Sequence, residues 1–410
     1  MTCMMRLTDD PYALRSTILL AGMHFCFQYG NLAPFESTFL YHKVEVMRYI
    51  NKWIASESHK CDTTIIRQMA TLAFTEICNG ELLAAETHVS GILAMIENAS
   101  RGEKEEPNIP SYRSIDQELA NRYYIMSYTY ICGLKSLLGG ICRVEGGNGT
   151  TMEDYTAKEL VEMSYLWHKG EAVQSWALKL QALRLFPFFL SPLPHNATLN
   201  DADAYGIISC LRQFTIGIDD ISRGVCTESA DETFDSFWRR GPASRILGEY
   251  VLAHIESISS DKEGIGSPEP RRSSFTSPWG AMVTASIVYM QTVLVALQPV
   301  DKRMHKYTIT SFHHDMASHL SASQASSNPG FILWLLLLGM IGCHTYTRDE
   351  QDSVPHPSTQ FFGTALRRQA KEMGVSSWSE ARRILVDVVW PQYDNRFGFV
   401  GDFWDEAMLK

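Results

Sequence analysis

The sequence lacks the closely spaced cysteine pairs that zinc-binding and redox-active proteins use. None of its nine cysteines belongs to a C-x-x-C pair, and their number is odd. Scattered cysteines of this kind are typical of reduced, buried thiols in a reducing compartment. We therefore predict no disulfide and no metal site built from cysteine. The cysteines are Cys3, Cys26, Cys61, Cys78, Cys132, Cys142, Cys210, Cys226 and Cys343.

The sequence is also poor in apolar segments that resemble export signals or membrane spans. Met1–Asp10 lacks the basic start and apolar run of a secretory signal. The apolar segment Phe331–Cys343 is shorter than the roughly 20 residues that a spanning helix needs. Trp279–Leu297 is long enough, but it carries Thr284 and Gln291, which a protein core accommodates more easily than lipid. We expect both segments to be core helices and expect no membrane partner.

An excess of basic residues, the usual signature of nucleic-acid binding, is absent. The 410 residues carry a formal net charge of -10 and have a sequence pI of about 5.7. An acidic surface repels phosphate, so we predict no direct contact with nucleic acid and no DNA-binding residues. The 45% hydrophobic and 20% charged residues are ordinary values for a globular protein. Because no long low-complexity linker divides the chain, we predict one domain over residues 1–410.

Sequence motifs of common enzymes are missing as well. Gly146–Gly149 is not followed by the Lys and Ser/Thr of a phosphate-binding loop, so it indicates a turn. There is no G-x-S-x-G motif, and no cysteine lies in a known nucleophile signature. Glu86 and His88 are two residues apart on a predicted helix and point to different sides, which favours a packed histidine over an acid–base pair.

The densest group of candidate metal ligands does not have the spacing of a metal site. His314 and Asp315 are adjacent, and His314 and His319 are five apart, unlike the H-x-x-x-H pair that faces one ion. With His305 and His313 they are better explained as a solvated helix or loop start. We accordingly predict no catalytic, cofactor-binding or metal-binding residues, no cofactor, and a protein that is not an enzyme.

What the sequence does contain is helical periodicity. Leu40, Val44, Met47, Ile50 and Ile54 recur at intervals of three and four residues, with charged residues between them, which predicts an amphipathic surface helix. The next two helices, over 65–77 and 82–96, are separated by Asn79-Gly80, a helix-ending pair. They predict an antiparallel helical hairpin.

Further helices are predicted at 117–138 and at 160–186, where the Pro-rich run through Pro187, Pro192 and Pro194 should end the second one. Ser377 and Glu380 form the spacing of a capping box, so another helix should begin at Trp378. No segment shows the alternation of a β-strand. The predicted fold is all-α, a large irregular multi-helix domain of antiparallel helical hairpins, with flexible loops at 100–111, 257–278 and 348–359.

Three stretches together resemble the fungal-specific transcription factor domain, the regulatory region of Zn2Cys6 factors. Gly80–Ile92 is similar to the family's Gly followed by Ala, His and Gly three residues apart. Leu333–Gly339 resembles its late apolar helix with an embedded Trp. Gly374–Trp378, with Trp390 and Phe403–Glu406, resembles its closing tryptophan-rich helices. The likeness extends over nearly the whole chain, from about Leu14 to Trp404.

The resemblance implies a nuclear transcription regulator that controls a metabolic or natural-product gene cluster through protein contacts. Its partners would be other transcription regulators or co-regulators, in a homodimer or heterodimer, together with a small-molecule effector. The chain departs from the family in showing no zinc cluster, since only Cys3 and Cys26 occur in its first sixty residues and neither has a close partner. Either the protein lacks the DNA-binding module or the sequence starts downstream of it.

Two other functions stay open on the sequence alone. The runner-up is a helical enzyme of a biosynthetic pathway, repurposed from the same domain, which would need a cavity holding two or more polar groups with shifted pKa values. A passive scaffold that pairs with full-length relatives would need a large apolar surface patch. The nine tryptophans are compatible with either a ligand cavity or a filled core. Trp378 and Trp390 are predicted to be largely buried.

Overall fold

In the residues that it describes, the structure, a computed structural model, is 80% helical, with 15 helices and almost no strands, which confirms the all-α prediction. The only strands in the described part are two residues long: Thr198–Leu199 (β1), Ala202–Asp203 (β2), Ile258–Ser259 (β3) and Thr276–Ser277 (β4). The structure describes residues 10–29, 33–56, 62–102, 114–147, 149–169, 173–223, 238, 243–259, 274–297, 301–322, 328–345, 356–392 and 398–409.

The chain divides into two compact units. Unit 1 comprises Met1–Leu199 with Leu247–Gly266, and unit 2 comprises Asn200–Ile246 with Ser267–Lys410. The predicted single domain over residues 1–410 requires one shared core, and this stays a prediction.

Unit 1 is built around a helix that is buried on every side. Its helices are Pro11–Tyr29 (α1), Glu36–Ile54 (α2), Thr63–Cys78 (α3), Leu82–Gly102 (α4), Ile115–Gly146 (α5), Ala157–Lys169 (α6), Val173–Phe189 (α7) and most of Ala243–Glu256 (α9). Helix α3 packs against α1, α2, α4 and α5. It begins at Asp62, whose carboxylate accepts a hydrogen bond from the amide of Thr64.

The predicted helical hairpin is formed by α3 and α4. Helix α3 ends at Asn79, and Gly80 adopts a φ of 79°, a left-handed conformation that glycine accommodates without strain. Two small residues of α4 allow a close approach to α3. Ala85 is fully buried, and a Cβ added at Gly91 would lie 2.6 Å from Met69 Cε of α3. Small side chains therefore let these two helix backbones approach closely.

Helix α5 is longer than predicted and begins with a capping box that the sequence analysis missed, Ser114 with Gln117. Its segment Ile115–Val144 is long and apolar enough to cross a membrane, and 78% of the apolar window is buried inside the protein. Such burial is typical of a core helix. Glycines beyond its end adopt positive φ at Gly147 and Gly149, as the predicted turn requires.

Helices α6 and α7 cover the described residues of the predicted helix over 160–186. Helix α7 runs on to Phe189, so Pro187 lies inside its last turn, and the helix ends within the Pro-rich run that was predicted to end it. The proline ring obstructs only the preceding turn, and here the chain leaves the helix soon afterwards.

Unit 2 has an apolar helix, Pro329–Thr345, at its centre. Its other helices are Tyr205–Ser222 (α8), Trp279–Val288 (α10), Lys302–Ala322 (α11), Thr359–Glu372 (α13), Trp378–Val388 (α14) and Gly398–Leu409 (α15), so Pro329–Thr345 is α12. Helix α12 packs against α10, α11, α13 and α14. All residues from Gly330 to Cys343 are buried, as predicted for this segment.

The capping box of α14 is present as predicted, with Ser377 Oγ accepting from the amide of Glu380 and the Glu380 carboxylate accepting from the amide of Ser377. Helix α14 ends at Val388, and Trp390 beyond it is 3% exposed. Trp378 is only half-buried, so the prediction that it is largely buried is met less fully than for Trp390. The two indole rings contact each other edge to face at 6.0 Å.

The predicted loops are shorter than expected where the structure describes them. Residues 100–102 belong to the end of α4, and most of the segment 100–111 lies outside the described residues. In the loop 257–278 both ends form strands: β3 pairs antiparallel with β1, and β4 with β2. Thr359, the last residue of the segment 348–359, is the first residue of helix α13. Two-residue strands are too short to produce a visible alternation, so the sequence did not reveal them.

Candidate interaction surface on helix α2

Helix α2 buries a different face from the one that its sequence pattern predicts. Its buried residues are Phe39, Val46 and Ile50. The predicted apolar face points outward except at Ile50: the exposed fractions are 49% for Leu40, 43% for Val44, 41% for Met47 and 62% for Ile54. The periodicity was read correctly as a helix, but the prediction of its buried side was wrong.

A buried ion pair fixes this rotation. Lys43 Nζ lies 2.6 Å from Glu76 Oε1 on α3, and Glu76 is 2% exposed. His88 of α4 approaches the same oxygen at 3.9 Å. Burial acts to raise the pKa of Glu76, but contacts with His88 and Lys43 hold it below its ordinary value, so the carboxylate is charged at neutral pH. Turning α2 by about 100° to bury its other face would leave this charge without Lys43.

Aromatic and ionic contacts with α1 support the same orientation. The rings of Tyr49 and Tyr12 stack with their centroids 4.0 Å apart. Arg15 Nη1 lies 3.6 Å from Glu45 Oε2. Burial, together with the neighbouring Tyr12 and Asp62, raises the pKa of Tyr49 to about 12. These contacts lie on the inward half of α2 and leave the outward half uncovered.

The outward half presents a straight row of side chains, which we call the α2 stripe: Leu40, Val44, Met47, Asn51 and Ile54. Their spacing of four, three, four and three residues keeps all five within about 80° of the helix circumference. All five are exposed. Tyr41, 60% exposed, and Arg48, whose side chain is 73% exposed, flank the stripe along one edge. A row of this kind, apolar except at Asn51, is a surface for packing another helix.

The histidines considered as metal ligands occupy separate places in unit 2. His305 Nε2 lies 3.0 Å from the carbonyl oxygen of Gly342, and burial lowers its pKa to about 4. His313 Nδ1 lies 3.1 Å from Ser358 Oγ. His319 Nδ1 lies 2.9 Å from Asp201 Oδ2. His314 and Asp315 have interactions of their own. In the ranges that the structure covers, no three such side chains converge on one ion.

Glu86 and His88 are held apart, as their spacing predicts. Glu86 forms an ion pair with Lys135 of α5, whereas His88 faces Glu76. The two side chains therefore belong to different contacts on α4 and do not form an acid–base pair.

The described cysteines are all buried: Cys26, Cys78, Cys132, Cys142, Cys210 and Cys343. Burial raises the pKa of Cys343 to about 12, although His356 Nδ1 lies 3.8 Å from its sulfur. Burial likewise raises the pKa of Cys78 to about 12. A thiol in this state is protonated at neutral pH and is a poor nucleophile.

One polar cluster in unit 1 was not anticipated from the sequence. Arg122 Nη1 donates to Ser257 Oγ at 2.7 Å and lies 3.2 Å from His254 Nδ1, and all three residues are buried. Ser257 Oγ in turn donates to the carbonyl oxygen of His254. Burial and the Arg122 charge keep the pKa of His254 well below its ordinary value. Because Arg122 occupies Nδ1 of His254, the ring does not activate Ser257, and the cluster is a structural network.

A groove near the α3–α4 turn has a cavity volume of about 10 Å³, room for about one water molecule. Its polar lining residues are Cys78 and Ser164, and the others are apolar side chains and Gly80. Cys78 is the one titratable group there with a shifted pKa, so this groove lacks the pair of such groups that the enzyme alternative requires.

Comparisons of the chain with family models, curated proteins and solved structures found no match.

Proposed function

We propose that this chain is a nuclear transcription regulator that acts through contacts with other proteins and has no catalytic role. The observation that supports this proposal is the α2 stripe. Its ends, Leu40 and Ile54, lie about 21 Å apart along the helix axis, and the apolar members are between 41% and 62% exposed. Single exposed apolar residues are common on any surface, but a continuous row is typical of a contact site.

The resemblance to the fungal-specific transcription factor domain gives this contact site a context. A chain of net charge -10 has little affinity for phosphate, so this region would reach a promoter through a partner. Another transcription regulator or co-regulator would place its own apolar helix face or groove on the stripe. Control of a metabolic or natural-product gene cluster is the proposed setting.

A reporter assay tests the proposal. The chain is fused to an unrelated DNA-binding module, and expression is measured from a reporter that carries the module's binding sites. We expect the fusion to change expression severalfold and the variant Leu40→Glu/Met47→Glu to lose this effect. The matched control is Leu83→Glu/Leu166→Glu, which adds the same charge at positions 79% and 66% exposed elsewhere in unit 1.

The outcomes separate the two main functions. Retained activity of the control fusion, with loss in the stripe variant, supports a regulator that uses this surface. A fusion without effect, a cytosolic location of the untagged chain and turnover of a pathway intermediate by the purified protein would overturn the proposal in favour of an enzyme.

A further inference from the structure

We propose that His356 is a proton-sensitive latch that holds the start of helix α13 on helices α11 and α12, and that protonation of its ring releases this segment. The inference goes beyond the proposed function, because it concerns the response of unit 2 to acid and does not involve the α2 stripe. It rests on the hydrogen bonds of the two ring nitrogens and on the groups around them.

The partners of His356 assign one tautomer to its ring. Nε2 lies 3.4 Å from the carbonyl oxygen of Lys306, which can only accept, so Nε2 carries the hydrogen. Nδ1 accepts a hydrogen bond from the main-chain N–H of Ser358 at 3.1 Å. The sulfur of Cys343 lies 3.8 Å from the same nitrogen, and burial raises the pKa of its thiol to about 12, so it is protonated. Nδ1 therefore faces two donors and needs its lone pair.

Protonation of the ring breaks this arrangement. An imidazolium donates from both nitrogens, so the new Nδ1–H of His356 would point at the main-chain N–H of Ser358. A main-chain N–H cannot reverse its role and accept. Ser358 is only 1% exposed, so its N–H would be left buried without an acceptor, which is unfavourable. The folded segment consequently favours the neutral ring.

The groups around His356 do not stabilise a positive charge. In the part of the chain that the structure describes, the titratable groups near the ring are His305, Lys306 and His313 of α11 and Cys343 of α12. These groups are cationic or neutral, so an added proton meets no carboxylate among them. Burial lowers the pKa of His356, and the Lys306 charge adds to this, although the hydrogen bond to the Lys306 carbonyl oxygen opposes it.

The two other histidines near the ring keep their hydrogen bonds described above when they are protonated. His305 Nε2 faces the carbonyl oxygen of Gly342, so this nitrogen carries a hydrogen in either state. His313 Nδ1 faces Ser358 Oγ, a hydroxyl that can accept as well as donate. Of the three histidines, His356 is therefore the one whose Nδ1 bond requires an unprotonated nitrogen.

The latch acts on the first turn of α13 and leaves the rest of the helix in place. His313 stacks on Phe361 in this turn, with the ring centroids 4.1 Å apart. Phe362, Leu366 and Ala370 are buried farther along, where α13 packs against α12. Opening is therefore local, and it uncovers the ring of Phe361 as a surface that is available only in acid.

Opening of the latch should increase as the pH falls. The open segment binds a proton with the ordinary histidine pKa of about 6.5, whereas the lowered pKa of His356 keeps the closed segment neutral to a lower pH. The latch thus has its full strength above pH 6.5. Below that value its opening constant should rise by up to about tenfold per pH unit, until the closed segment is also protonated.

Hydrogen–deuterium exchange of the full chain tests the latch. Exchange of peptides that cover residues 356–365 is measured at pH 7 and at pH 5, and each rate is divided by the intrinsic rate of an unstructured peptide at that pH. We expect the protection of this segment in the wild type to fall by about threefold or more at pH 5. Peptides from α3 in unit 1 should keep their protection.

Two variants at position 356 separate the proton from the loss of the side chain. The side-chain oxygen in His356→Asn can still accept from the N–H of Ser358 but does not titrate, so protection should be equal at pH 7 and pH 5. His356→Asp, whose carboxylate stays largely ionised at pH 5, has the same purpose if the first variant does not fold. His313→Asn is the matched control and should keep the wild-type response.

The outcomes are distinct. A pH response that is lost in the position-356 variant and retained in His313→Asn supports the latch. Unchanged protection of the wild type at pH 5, or an equal loss in His356→Asn, overturns it. An equal loss in the peptides from α3 would be general acid unfolding and also overturns it, as does a response that disappears in His313→Asn.

Discussion

Helices α2 and α3 are consecutive in the chain and depart from simple amphipathic patterning in opposite ways. Helix α3 buries all residues from Ile65 to Cys78, including the polar side chains of Arg67, Gln68 and Glu76. Helix α2 leaves four large apolar side chains of the stripe exposed. Apolar character alone therefore assigns the inside and outside of both helices incorrectly.

The difference shows that a polar side chain in unit 1 is buried where a hydrogen-bonding or ionic partner within the chain is in reach. Arg67 Nη2 lies 2.6 Å from Asp10 Oδ2. Gln68 Nε2 donates to the hydroxyl of Ser16 at 2.9 Å and to the carbonyl oxygen of Tyr12. A buried polar group without a partner costs several kcal/mol, whereas an exposed apolar side chain costs little. The orientation of α2 accordingly follows the need of Glu76 for Lys43.

The largest expected change in the free energy of unfolding distinguishes two isoleucines that lie one turn apart on α2. Ile50 is 7% exposed and Ile54 is 62% exposed. Ile50→Ala should lower the free energy of unfolding by about 3 to 4 kcal/mol, because it leaves a cavity, and Ile54→Ala by less than about 0.5 kcal/mol. Urea denaturation of each variant beside the wild type measures both. Equal effects would mean that the face of α2 has been assigned wrongly.

Breaking the Lys43–Glu76 ion pair, which orients α2, should cause the next largest loss of stability. Lys43→Met should lower the free energy of unfolding by about 3 kcal/mol, near the low end for a broken buried pair because the Lys43 side chain is 25% exposed. Lys52→Met, at an exposed position of the same helix, is the matched control and should be nearly neutral. The double variant Lys43→Met/Glu76→Leu should recover most of the loss, since no charge is then left unpaired. Failure of this recovery would show that Glu76 has another essential partner.

The smallest expected effect is a pH dependence of stability that comes from His305, a polar side chain buried in its neutral form. The pKa of His305 is about 4 in the folded protein and about 6.5 in an unfolded chain. The unfolded chain binds more protons between these values, so this contribution to stability is present above pH 6.5 and is lost as pH falls toward 4. Between pH 7 and pH 4.5 the wild type should lose about 2 kcal/mol more than His305→Gln. A parallel pH dependence of the two unfolding curves would contradict this.

Local sequence signals predicted much of the fold. The Asn79-Gly80 turn, the Ser377–Glu380 capping box and the apolar segment Phe331–Cys343 depend on neighbouring residues, and the structure contains all three. The buried side of α2 was not predictable in this way. Phe39, Val46 and Ile50 form a second apolar row, and the choice between the two rows depends on Glu76, far along the chain.

The polar contacts were the least predictable part. Arg122 lies 132 residues from His254 in sequence, and neither residue belongs to a motif. The five-residue π-helix Tyr289–Val293 after α10 also had no local signal. The α2 stripe could have been found as a heptad, but its exposure required the three-dimensional structure.

The labelling rates of the buried cysteines would report local unfolding of the helices around them. A protected thiol reacts with an alkylating reagent only after the surrounding helices separate, so its labelling rate follows the opening of its neighbourhood. Cys26, Cys78 and Cys132 lie in unit 1, and Cys210 and Cys343 lie in unit 2. Peptide-resolved labelling would therefore time the opening of each unit separately, without any engineered cysteine.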